Sequence, residues 1–138
     1  MYICFLIAIV ILVGCYYMIF LTLTRQKIQA RKSISKSHLL AEYVHSNGDI
    51  ESELFDESLK KVSEIFSVPT DKLRLEDVIG QDIGRSFPLS MGDSMATEGF
   101  YEYIHEQKKQ TNLAYDKPIN TIADFMEFNN FFYHMKQT

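Results

Sequence analysis

The chain has 138 residues, 46% of them hydrophobic and 23% charged, with a formal net charge of −4 and two cysteines. That length gives one small domain plus an appendage and excludes two independent cores. Cys4 and Cys15 both fall in the apolar N-terminal run, so the remainder has no residue for a disulfide framework or a thiolate zinc site, as suits a reducing compartment.

Residues 1–24 contain no charged side chain, and 2–23 are nearly all Ile, Leu, Val, Phe, Tyr and Met. At about 1.5 Å per helical residue such a run reaches across the roughly 30 Å hydrocarbon layer of a bilayer, which predicts a single transmembrane helix over 1–24. Arg25, Lys27, Arg31, Lys32 and Lys36 follow, with no acid before Glu42. That positive excess predicts a short N-terminus outside an inner or plasma membrane and a cytoplasmic remainder. Two competing readings explain less. A cleaved signal peptide needs a basic n-region, a shorter apolar core and a small-x-small site, and none is present. Leu12-Val13-Gly14-Cys15 has the form of a lipoprotein processing box, but the apolar run continues eight residues past Cys15 and no positive charge precedes it.

From Glu42 onward there are 18 acids against nine Lys and Arg, a net charge of −9. A surface of that sign disfavours nucleic acid, and no basic patch with interleaved aromatics occurs. The basic segment reads first as a topology signal and second as an attraction for anionic lipid heads. Residues 25–48 are expected to form a juxtamembrane linker, partly helical through Ile28, Leu39, Leu40 and Val44, with Ser33, Ser35 and Ser37 weakening the helix. At Ser46-Asn47-Gly48-Asp49, Gly48 can take a left-handed conformation that closes one helix, and Asp49 can cap the next. An acidic domain is therefore expected over 49–138.

Over 50–67 the spacing predicts a helix with Leu54, Phe55, Leu59, Val62, Ile65 and Phe66 on one face and Glu53, Glu57, Lys60, Lys61 and Glu64 on the other. Asp56 with Lys60 and Glu57 with Lys61 have favourable i,i+4 spacing, and Pro69 ends the helix. A long connection follows, with a short turn capped by Thr70 or Asp71 and running through Leu73, Leu75, Val78 and Ile79. Gly92 and Asp93 break this segment, and Asp93 or Ser94 can cap the helix beyond it. There Ala96, Phe100, Tyr103 and Ile104 share one face, while Glu98, Glu102 and Glu106 form an acidic row opposite. After a polar connection with Pro118, Ile122, Phe125, Met126, Phe128, Phe132 and Tyr133 give the last helix a wide apolar stripe. No segment alternates long enough for a sheet, so the fold class is all-α.

Asp93-Ser94-Met95, opening an acidic amphipathic helix, resembles the Asp-Ser-Leu segment of acyl carrier proteins, whose serine carries phosphopantetheine. Thr121-Ile122-Ala123-Asp124-Phe125-Met126-Glu127-Phe128 is similar to the Thr-Val-x-Asp-x-Val-x-Tyr start of that family's last helix. The likeness spans roughly residues 50–134, with Ala96 standing where the family has an acid. It implies an acyl-carrier-like helical bundle behind the transmembrane helix, with a long first loop that packs Leu73, Leu75, Ile79 and Phe87 down on the core and with 4′-phosphopantetheine on Ser94 beside Asp93. It also implies a docking face of Met95, Glu98, Glu102 and Glu106 for a phosphopantetheinyl transferase and an acyl-handling membrane enzyme. Such a chain is a carrier, not itself an enzyme. The alternative is an unmodified adaptor tethered to the bilayer that binds a partner through the same acidic helix.

Two further patterns carry less. Gly92-Asp93-Ser94-Met95 resembles the Gly-Asp-Ser-Leu block of a serine esterase family, but no histidine has the Asp-x-x-His partner such an enzyme needs, His134 having Phe131 at that offset. Glu42-x-x-His45 and Glu102-x-x-His105 have the spacing of di-iron carboxylate bundles, yet the second pair falls on a polar face and the first outside the expected bundle.

Overall fold

The computed structural model describes residues 2–84, 94–111 and 114–136. Its elements are α1 (Tyr2–Gln29), α2 (Lys36–Asn47), α3 (Ser52–Phe66), a single 3-10 turn (Thr70–Lys72), α4 (Met95–Thr111) and α5 (Ile122–Lys136), with no strand among the described residues. The chain divides into two compact units, Met1–Lys32 and Ser33–Thr138.

The first unit is α1, a helix long and apolar enough to cross a membrane. It continues past the charge-free run, so Arg25 and Lys27 ride on its last turns. Its apolar side chains, among them Phe5, Val10, Leu12 and Ile19, are exposed.

The second unit begins earlier than the expected boundary at 48/49. Leu39 and Tyr43, four apart on α2, are each 1% exposed, and the Tyr43 ring lies 5.9 Å from that of Phe55 on α3. Residues 33–48 are thus part of the packed unit and not a linker. Ser35 caps α2 by accepting the His38 amide at 3.3 Å. With Lys36 included, this unit carries 18 acids against ten Lys and Arg. Gly48 closes α2 at φ +98°, where a Cβ would be strained. Asp49 does not cap α3, whose preceding residue is Glu51 with no side-chain hydrogen bond. Asp49 instead offers its carbonyl to Asn130 Nδ2 at 3.1 Å.

α3 packs on α2, α4 and α5, burying Phe55, Ser58, Leu59 and Val62 as its apolar spacing dictates. Its outer charges pair differently from expectation. Asp56 binds Lys36, which arrives from α2; Lys60 pairs with Glu64 at 3.9 Å; and Lys61 lies 4.8 Å above the Tyr103 ring. The helix ends at Ser67 in the left-handed region, two residues before Pro69.

From there the connection is held down by its own apolar residues. Leu73, Leu75, Ile79 and Ile83 are buried, and Asp77 and Asp82 accept the amides of Arg74 and Val78 at 2.9 and 3.0 Å. Phe87 lies outside the described residues. Leu75 and Asp77 give their carbonyls to the first amides of α5, Ala123 at 3.0 Å and Ile122 at 3.3 Å, and the Ile79 amide returns a bond to Asn120 at 2.9 Å. Backbone groups that an irregular segment would otherwise bury unpaired are thereby satisfied.

Aromatic rings form the middle of the core. Phe100 of α4 sits 5.0 Å from Phe125 of α5 and 5.5 Å from Phe66 of α3, and Phe128 sits 4.6 Å from Phe132. Phe125 is fully buried whereas Phe66 is half-buried. Phe125→Ala should therefore cost about 3–5 kcal/mol and Phe66→Ala less, while Glu102→Ala stays within about 0.5 kcal/mol, read from chemical denaturation midpoints.

Two phenols are pushed up to about 12: Tyr43 by burial and then Glu127, Tyr115 by burial and then Glu127, Asp124 and Tyr43. The unfolded chain releases these protons near pH 10, while the folded chain keeps them to about 12. Stability from this source is thus level below the lower value and falls as pH rises through the window between them. Tyr115 Oη is also buried with no hydrogen-bond partner among the described residues. Tyr115→Phe should hold or raise stability at neutral pH and flatten the alkaline decline, measured as urea midpoint against pH.

Candidate functional site: the hydroxyl pair at the start of α4

Ser94 is the residue before α4 and acts as its cap. Its carbonyl accepts the Glu98 amide at 2.9 Å, the first bond of the helix ladder, and its Oγ accepts the Thr97 amide at 3.2 Å, satisfying one of the N–H groups a helix start leaves open. The same Oγ donates to the carbonyl of Gly84 and lies 2.9 Å from Thr97 Oγ1, which donates to that carbonyl at 2.9 Å. Two hydroxyls from one turn of α4 thus hold one carbonyl of the long connection. Ser94 is half-buried and Thr97 fully buried.

Gly84 is what allows this approach. Its φ is +70°, and a Cβ there would run into the Phe66 ring and stand 2.7 Å from Thr97 Oγ1. A side chain would be strained by the backbone and would push α3 and α4 apart.

The other face of α4 is turned to solvent. Glu98, Glu102 and Glu106 are exposed, and Met95 is 88% exposed, while Thr97, Phe100 and Ile104 face the core. The expected acidic ridge is therefore present, with an exposed thioether at its N-terminal end. Ala96 and Tyr103, expected in the core seam, are half-buried. Asp93 and Gly92 lie outside the described residues.

Sequence reasoning missed two members of this arrangement. Thr97 follows Ser94 by three, which places it one turn into the helix on the core side, a signal that could have been read. Gly84 carried none, since the contact joins residues ten apart in the sequence.

The start of α5 gives physical content to the Thr121-x-x-Asp124 spacing. Thr121 Oγ1 accepts the Asp124 amide at 3.2 Å, and Asp124 Oδ2 accepts the amides of Thr121 and Asn120 at 2.8 and 3.0 Å. This is a reciprocal capping box with aspartate in the acidic position.

A cavity of about 340 Å³ opens between α3, α4 and α5, lined by Leu54, Ser58, Lys61, Tyr103, Gln107 and Phe132 among others. The Tyr103 phenol on its wall is raised by burial and then by Glu57. Both Glu-x-x-His pairs are exposed, and no group of three His, Cys, Asp or Glu residues able to hold a metal ion occurs among the described residues. Ser94 has no histidine among its hydrogen-bond partners in the described residues.

Removing the α5 cap tests how tightly this end is built. Thr121→Ala and Asp124→Ala should each cost about 0.5–2 kcal/mol, the aspartate more because it serves two amides, and the double variant should lose less than the sum of the two. Thermal unfolding of the three variants reads this directly. Compared with protein-family models, with curated proteins and with solved structures, the chain has no match.

Proposed function

We propose that the protein is a membrane-tethered acyl-carrier-like module. In this reading α1 anchors it in an inner or plasma membrane, with the short N-terminus outside and the unit beyond Ser33 in the cytoplasm. Ser94 carries a 4′-phosphopantetheine arm, on which an acyl group is held as a thioester beside an acyl-handling membrane enzyme. The observation that carries the reading is Ser94 itself: a hydroxyl at the positively polarised start of an amphipathic helix whose outward face is Met95, Glu98, Glu102 and Glu106. A phosphodiester on that oxygen would lie against the amides of the first turn of α4. The carboxylates would steer a basic transferase or partner enzyme, and Met95 would supply an apolar contact at the centre of such an interface. The element order supports the same reading, with α3, a long connection, a serine-capped helix and a last helix opened by a Thr-x-x-Asp box.

One observation favours a second reading. The Ser94 hydroxyl is engaged inward, on Gly84 and Thr97. A serine that only caps α4 would leave an unmodified adaptor, bound to its partner by the same acidic face.

Coexpression of the full chain with a broad-specificity phosphopantetheinyl transferase separates the two. The carrier reading expects intact mass to rise by one phosphopantetheine and Ser94→Ala to abolish the rise. No rise, or a rise that persists in Ser94→Ala, leaves the adaptor.

A further inference from the structure

Thr97 is 2% exposed, and its hydroxyl proton is directed at a carbonyl that Ser94 already serves. We infer that Thr97 is a positioning residue for the modified protein: it keeps Gly84 bound to α4 after esterification has taken the Ser94 proton away. The inference rests on the carrier reading. In the modification a new phosphorus–oxygen bond forms at Ser94 Oγ and the diphosphate bond of coenzyme A breaks. The nucleotide leaves with the electron pair, and the hydroxyl proton passes to a base of the transferase or to water.

The ester oxygen that remains can accept the Thr97 amide but can donate to nothing. Were Ser94 the sole donor, the Gly84 carbonyl would lose its partner beside a buried threonine, at the cost of an unmade hydrogen bond. Thr97 Oγ1 stands 2.9 Å from the same oxygen and needs no movement to hold it. Gly84 and Ser94, ten residues apart, are thus held together in both forms, and the arm is attached to a fixed point.

The consequence is redundancy that appears only when both donors are removed. The reporter is the Gly80 amide, bonded to the Ile83 carbonyl at 2.7 Å just before Gly84. Its hydrogen exchange is measured on the full chain in micelles for wild type, Ser94→Ala, Thr97→Val and the double variant. Each single change should raise exchange by less than about threefold and the double change by about tenfold or more. In the phosphopantetheinylated chain Thr97→Val alone should match the double variant, and Thr97→Ser should restore protection. Equal opening by Thr97→Val in both forms would show a merely structural threonine and overturn the inference. So would a double variant no more open than the singles, or a modified chain indifferent to Thr97→Val. A chain that takes up no mass removes the carrier reading, and the role of Thr97 after modification with it.

Discussion

A helix that begins inside a protein must find acceptors for its first amides, and at α5 the search reaches well beyond the helix itself. Thr121 and Asp124 satisfy the local groups. The Ile122 and Ala123 amides take carbonyls from the connection that leaves α3, at Asp77 and Leu75. Those bonds fix the connection as firmly as they fix the helix. The Ile79–Asn120 bond and the buried side chains of Ile79 and Ile83 carry the chain to Gly84, whose carbonyl meets the Ser94 and Thr97 hydroxyls. The position of the α4 start is thus tied to the start of α5 through these bonds.

The second consequence concerns surfaces. α4 divides its residues between an aromatic core and an acidic exterior, so its two faces can be altered separately. Phe100 locks the helix between Phe66 and Phe125. Outside, three carboxylates and Met95 contribute almost nothing to folding, since exposed charges in high dielectric gain little from their neighbours. A face that is neutral for stability and strongly signed is free to serve recognition, where long-range field decides encounter rates. The N-terminal helix α1, with its apolar exterior, supplies the other specialised surface of the chain.

Much of this was legible because it followed from periodicity. The buried stripe of α3, the stripe of α5 and the acidic ridge of α4 all repeat at helical spacing, and Leu73, Leu75 and Ile79 stand out as apolar residues in an otherwise polar connection. α2 was less legible for a physical reason: it contributes only Leu39 and Tyr43 to the core, flanked by serines and basic residues that read as a linker. The pairing of Asp56 failed as a local inference because Lys36, twenty residues earlier, reaches it across the α2–α3 contact. Asp49 failed as a cap because α3 begins only at Ser52, with Glu51 and not Asp49 in the capping position. At the site, the spacing showed that Ser94 opens a helix. It did not show which way the hydroxyl points, because that depends on Gly84, a partner with no side chain and no sequence signature.

The proposed carrier role requires Ser94 to be a point of attachment as well as a cap. Phosphorus NMR of the full chain, purified in detergent from the membranes of cells that make it naturally, tests this without any added enzyme. A phosphodiester resonance that disappears when Ser94→Ala replaces the native residue is the predicted result. A chain bearing no phosphorus, or one whose resonance survives that substitution, would contradict it.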